Sequence, residues 1–351
     1  MTTGSQRSSA ASWLRRNAVF VALGLVGATA AAYAVVTLSS GAGGTEPTDL
    51  AASDPAPSSP VAPTAPEGTT APPTTMPATT PPPTTTPPPP RPTGFPDASN
   101  TGVPSGVNLT QYSGPCTITR DGTIIDAKNV DCPLVVKAAN VVIKRSFVDG
   151  WIATDGERAS LRIEDSVVNG GRDQIPAIGY HNLTVLRSNV YGGQASVNCS
   201  GDCHIEDSWL HGQYLAPGKN WHLDGFLSNG GSNMTLIHNT LACEPATNSV
   251  GGGCTAAAAL FGDFDPITHV TIDGNLFVAS GEMSYCLYAG TDDKKPYGED
   301  AHHIKVINNV FQRGETGKCA AYGAWTSFDH DAAGNVWSNN IWDDGERLGR
   351  P

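Results

Sequence analysis

The sequence predicts an all-β fold in which the chain winds into stacked coils as a parallel β-helix. An eight-residue phrase, apolar-x-apolar-x-x-[Ser/Asn]-x-apolar, recurs eight times between Val141 and Ile341. Its anchors are Ser146, Ser166, Ser188, Ser208, Asn239, Asn275, Asn309 and Asn339, about 20 to 36 residues apart. A unit this short cannot bury its own apolar face, so the repeats must stack. No amphipathic stretch of helix length separates them, which argues against alternating strand–helix folds.

Apolar residues two apart mark a strand with one buried face. They stand three places before the anchors (Ile143, Ile163, Val185, Ile205, Leu236, Ile272, Val306, Val336) and two places after (Val148, Val168, Val190, Leu210, Leu241, Phe277, Phe311, Ile341). The polar anchor interrupts the alternation, so each unit reads strand, bend, strand. Its expected job is structural: stacked at the bend, it hydrogen-bonds along the rod to backbone groups the turn leaves open. A weaker ninth unit at Thr123, Ile125, Lys128 and Val130 would begin the stack. His269 and His303, each six before an anchor, read as turn residues.

The chain divides into four segments. Residues 1–17 carry Arg7, Arg15 and Arg16 with no acidic residue, which predicts a cytoplasmic N-terminus. Residues 18–38 are an uncharged apolar run long enough to cross a bilayer. An uncleaved signal anchor is the preferred reading, a single-pass placement in the cell membrane with the C-terminal domain outside. The Ala32-Tyr33-Ala34 triplet keeps open a cleaved signal peptide and a secreted protein. Residues 39–95 are rich in Pro, Thr, Ala and Ser and predict a disordered linker. Residues 96–351 are long enough for one large core and hold the repeat.

All eight cysteines fall in that last segment. An even count after an export signal reads as disulfides. Sequence proximity pairs Cys116 with Cys132, Cys199 with Cys203, and Cys243 with Cys254. Cys286 and Cys319 lie 11 and 10 after successive anchors, so adjacent coils would join them. Zinc binding is the alternative. The same segment carries the whole net charge of −12, which excludes a nucleic-acid partner and favours a neutral glycan over a polyanionic one.

Chemistry on a filled rod must sit on an outer face or among loops. The anchor spacing lengthens after Ser208, so loops would wall one face of the later coils. The first long insertion contains Lys219, Trp221, His222, Leu223, Asp224 and Gly225. On a strand His222 and Asp224 share one side, with Leu223 and Gly225 facing inward. An imidazole beside a carboxylate can serve as general acid or base, and the pair is expected to be exposed. The structural alternative is that Asp224 caps a turn and His222 is merely exposed. Asp263, Asp265, Asp292 and Asp293 follow on later coils. Their oxygens would suit Ca²⁺ as a cofactor, or glycoside hydrolysis, or no role beyond solvation. Tyr285, Tyr288, Tyr322 and Trp325 complete a set of late aromatics fitted to sugar rings, and Tyr288 and Tyr322, each 13 after an anchor, are expected to stack.

The runs NVVIKRSFVDG, SLRIEDSVVNGG, NMTLIHNTLAC and HIKVINNVFQRG resemble the right-handed parallel β-helix proteins of the pectate-lyase-like superfamily, over about Cys116 to Asp344. That resemblance implies right-handed coiling and a function among lyases, hydrolases, epimerases and adhesins. The His-x-Asp-Gly phrase at His222–Gly225 is similar to a segment of many polysaccharide-acting members. The WIDH-like calcium segment and RxPxxR-like arginine context of pectate lyases are absent. The Ala/Thr/Pro bias of the linker is similar to that of exported actinobacterial envelope proteins. The expected function is an extracytoplasmic polysaccharide lyase or glycoside hydrolase; the alternative is a non-catalytic glycan-binding or adhesion module on a stalk.

Overall fold

The computed structural model describes residues 94–349. The expected segments 1–17 and 18–38, and the linker up to residue 93, lie outside the described residues. Among the described residues no helix is long and apolar enough to cross a membrane. Among the described residues the only helical element is the 3-10 turn Gly298–Asp300.

The apolar columns become three stacks of parallel strands. One is a ten-stranded sheet running from Thr110–Gln111 through Lys128–Val130, Phe147–Asp149, Val167–Asn169, Asn189–Tyr191 and Trp209–Leu210 to Ile341–Trp342. The other two merge into one sheet because Ile178–Leu186 and Ala195–Glu206 run through both. Of these, one stack carries Leu134–Val136, Ile152–Thr154, His222–Ser228, Gly253–Leu260, Tyr285–Ala289 and Gly323–Thr326; the other carries Val141–Lys144, Leu161–Glu164, Gly231–Ile237, Ile267–Asp273, His302–Ile307 and Val336–Ser338. Ten rungs spaced by about 4.8 Å give a stack of roughly 45 Å. The fold is a parallel β-helix, and the ninth unit does extend it, with Ile125 and Val130 buried.

Side chains inside the rod form columns of like residues. Val130, Val148, Val168, Val190, Leu210, Leu241, Phe277 and Phe311 are all fully buried. The Phe277 and Phe311 rings lie parallel with centroids 4.2 Å apart. Each such side chain contributes about 1.5–3 kcal/mol relative to exposure.

The anchor column is a continuous hydrogen-bond ladder. The amides of Ser146, Ser166 and Ser188 donate to the hydroxyls of Ser166, Ser188 and Ser208 at 3.1, 3.4 and 3.1 Å. From Ser208 onward the acceptor is an asparagine Oδ1: Asn239, Asn275, then Asn309 at 2.8–2.9 Å. Each asparagine Nδ2 also donates back to a carbonyl of the preceding coil, as Asn275 does to Leu236 O at 2.9 Å.

The eighth anchor is Asn340, not Asn339. Asn340 is buried and accepts from Asn309 N at 3.0 Å, while Asn339 occupies the left-handed corner with φ 56°. That corner is a column of its own, filled by Arg145, Asp165, Arg187, Asp207, His238 and Asn308 at φ 45–57°. The core positions of the last coil shift with the anchor: Trp337 is buried while Val336 is exposed, and Trp342 rather than Ile341 pairs with Phe311. His269 and His303, expected as turn residues, lie within the strands Ile267–Asp273 and His302–Ile307, where each takes a left-handed conformation at φ 54° and 55°.

All four expected disulfides are present: Cys116–Cys132, Cys199–Cys203, Cys243–Cys254 and Cys286–Cys319. No free cysteine remains among the described residues. Before the first rung, residues 94–109 run along the flank. The Phe95 ring stacks on His238 at 5.6 Å, next to the seventh rung, and Gly102 N donates to Arg187 O at 2.9 Å, beside the fifth.

Candidate functional site

The strand His222–Ser228 lies between Ala195–Glu206 and Gly253–Leu260. Leu223 is in the main core. A Cβ on Gly225 would collide with the carbonyls of Ala257 and Ala242, so that position also faces inward and must be glycine. Alternation therefore turns His222 and Asp224 outward. The neighbouring strand carries one extra residue here. Leu223 pairs with Cys254 and Asp224 with Ala256, which makes Thr255 the bulge.

His222 is exposed, whereas Asp224 is not: only 3 % of its surface reaches solvent. The expectation of an exposed carboxylate is corrected. The reason is a small outward cluster separate from the main core, formed by Ala195, Leu227, Ala256 and Ala259 with Phe261 and Tyr288 packed on it. Ala195 and Ala256 are the sheet partners of Asp224, so the carboxyl shares that patch. It accepts one hydrogen bond, from Ala256 N at 3.1 Å. Burial pushes its pKa up to about 8, a shift the single amide only partly opposes. Asp224 is thus a neutral acid at pH 7.

His222 is shifted the other way. Crowding by neighbouring atoms lowers its pKa first, and the Lys295 ammonium adds to that. Lys295 is held by Asp263 at 2.7 Å and lies 4.7 Å from the centre of the Phe261 ring. Tyr288, within electrostatic reach of Asp224 and Asp292, is pushed up to about 12, chiefly by desolvation. Burial thus favours the uncharged form of all three groups.

Aromatic rings extend the patch toward the last coils. Tyr288 lies 5.1 Å from Phe261 and 5.3 Å from Tyr285, and Tyr285 lies 5.9 Å from Tyr322. Tyr322 is 70 % exposed. The expected stacking of Tyr288 on Tyr322 does not occur. Tyr288 pairs with Thr326 and Tyr285 with Gly323, so Tyr322 comes against Tyr285. Equal distance from the anchor fails because the intervening loops differ in path.

The remaining expected residues disperse. Trp325 packs against the main core, its ring 5.1 Å from Trp337, and Trp221 packs there too, edge-on to Tyr214. Lys219 is exposed, and its carbonyl accepts from Asn248 Nδ2 at 2.7 Å. Asp263 is engaged by Lys295, and Asp292 accepts from Lys294 N. Asp293 is exposed, and Asp265 lines a separate depression of about 550 Å³ with Glu299, Asp300, His302 and Asp329. Among the described residues no group of three or more His, Cys, Asp or Glu side chains is placed to hold a metal ion. Phe261 and Lys295, which the sequence reading left out of the site, belong to it. The run Ala256-Ala257-Ala258-Ala259 was the available signal, since small side chains make room for outward packing.

Comparison of the chain with protein-family models, curated proteins and solved structures finds no match.

Proposed function

We propose that the β-helix domain is a carbohydrate-active enzyme of the pectate-lyase-like kind, right-handed in its coiling, that cleaves an envelope or environmental polysaccharide. The observation that carries this reading is the placement, two residues apart on one strand, of a buried carboxyl whose pKa is pushed up to about 8 and an exposed imidazole whose pKa is lowered. Glycosidic cleavage needs a proton delivered to the leaving oxygen and a base for a second proton. Asp224 supplies the first, reached past Phe261 and Tyr288. His222 takes the second, from water in hydrolysis or, where the sugar is an esterified uronate, from the ring carbon next to its carbonyl in elimination. Tyr285 and Tyr322 offer ring faces to adjoining sugars, and the charge of −12 favours a neutral chain. Placement outside the membrane, on a helix at 18–38 and a tether at 39–95, is supported by the four disulfides.

The test is incubation of the full chain with a glycan panel, with and without Ca²⁺, following reducing ends and unsaturated-uronate absorbance. Reducing ends lost in Asp224→Asn establish the enzyme. Absorbance at the unsaturated product separates lyase from hydrolase. The near-complete burial of Asp224, together with the exposure of Tyr322, favours, as a second reading, a glycan-binding module without turnover. That reading wins if glycans bind and no bond is cut. N-terminal sequencing of protein recovered from cells decides between anchor and secreted form.

A further inference from the structure

A second depression, of about 400 Å³, lies where the ten-stranded sheet turns toward the strand Ala195–Glu206. Its floor is a glycine column on three successive coils: Gly171, Gly192 and Gly212. Their backbones are in register, with Gly192 N donating to Gly212 O at 2.9 Å and Gly193 N to Gly171 O at 2.9 Å. Gly192 has φ 76°, and a Cβ there would stand 2.8 Å from Asn169 Oδ1 and 2.9 Å from Gly171 N. A side chain is therefore barred at Gly192, where the coils pack closely, while a Cβ on Gly171 would meet nothing within 4 Å.

Those walls are polar and aromatic. Asn169 Nδ2 donates to Asp149 Oδ1 at 2.9 Å, which leaves the second Asp149 oxygen for another donor. The Arg172 guanidinium lies over the Tyr214 ring at 5.5 Å; among the described residues it forms no ion pair, so its N–H groups remain for a ligand. Tyr191 closes the side between Asn169 and His211. Gln213 lines the depression yet is 5 % exposed, and its Nε2 donates to Ser196 Oγ at 2.9 Å and to Ala242 O at 3.0 Å, which fixes this wall from behind.

We propose that this corner binds one sugar residue of a neutral glycan. A carboxylate and an amide side by side match a vicinal diol, which both donates and accepts. Tyr191 and Tyr214 present apolar faces to ring C–H groups, and Arg172 donates to hydroxyl oxygens. The bare floor admits a flat ring. Binding here needs neither His222 nor Asp224, so the proposal stands whether or not the protein turns a glycan over.

The experiment is saturation-transfer NMR on the full chain with the methyl glycosides of glucose, galactose, mannose and arabinose, and methyl galacturonide as the charged control. The expected result is transfer to at least one neutral glycoside, weakened about tenfold or more by Tyr214→Ala and by Asp149→Ala and unchanged in Asp224→Asn. Asp149 is exposed, so its variant keeps the test valid if loss of Tyr214 disturbs folding. Absence of transfer from all four neutral glycosides, transfer from the uronide alone, or transfer indifferent to both wall variants would overturn the proposal. Loss of turnover in Asp224→Asn with transfer intact separates this site from the catalytic reading.

Discussion

Asp224 sits where water scarcely reaches, and this has opposite consequences for chemistry and stability. The folded chain keeps its proton up to a pH of about 8, whereas the ordinary carboxyl value is 3.8. Between these values the folded state binds the extra proton, so stability falls as pH rises through that window. Asp224→Asn removes the titration yet retains an oxygen for Ala256 N. The variant should be more stable than the parent by an amount that grows by about 1.4 kcal/mol per pH unit, approaching about 4 kcal/mol at pH 7. Urea melts at pH 5 and pH 8 measure this; equal gains at both would show that Asp224 is ionised in the fold. Turnover should drop by about 10²–10⁴ in the same variant. The parent's kcat/KM should follow a bell. Its alkaline limb lies near 8, where Asp224 loses its proton, and its acid limb below 6.5, where His222 gains one. An alkaline limb that persists unchanged in a weakly active Asp224→Glu variant would assign that limb to another group.

At the scale of the element, the anchor ladder and the disulfides divide the labour of holding coils together. Asn275→Ala would take the side-chain partner from Asn239 N and Leu236 O inside the rod, while Asn309 Oδ1 keeps the bond from the residue 275 amide. With about 1–3 kcal/mol for each buried group left open, the loss should be about 2 kcal/mol or more, read from urea unfolding. Asn275→Ser should cost less, because serine already serves at four rungs of the same column. Opening Cys286–Cys319, which closes 33 residues, should cost about 3–4 kcal/mol, against about 2 kcal/mol for Cys199–Cys203, which closes 4. The repeat and these pairings were legible because one residue in each coil must do the same job. The last coil was misread by one position because Asn339 and Asn340 are adjacent, each next to an apolar alternative. Either asparagine suits the anchor or the left-handed corner, and only coil-to-coil register decides. In the site, alternation correctly turned His222 and Asp224 to one side. The burial of Asp224 was not legible, since its cover comes from Phe261 and Tyr288, on two later coils.

For the whole molecule, the route of the chain into the rod matters as much as the rod. Among the described residues, the first ring contact with the rod is Phe95 against His238, beside the seventh rung, and the chain reaches the first rung only at Thr110. Any pull transmitted from residues before 94 therefore acts on the side of the stack, through a strap crossing several coils. To unwind the first coil, a force must first strip Phe95 from His238 and Gly102 from Arg187. Force spectroscopy pulling from the N-terminus should show this as a small early release, absent in His238→Ala, before any coil opens. A single rupture identical in parent and variant would show that the strap carries no load. The strap thus acts as a strain relief, taking tension along the flank so that the exposed edge of the first rung is not peeled away strand by strand.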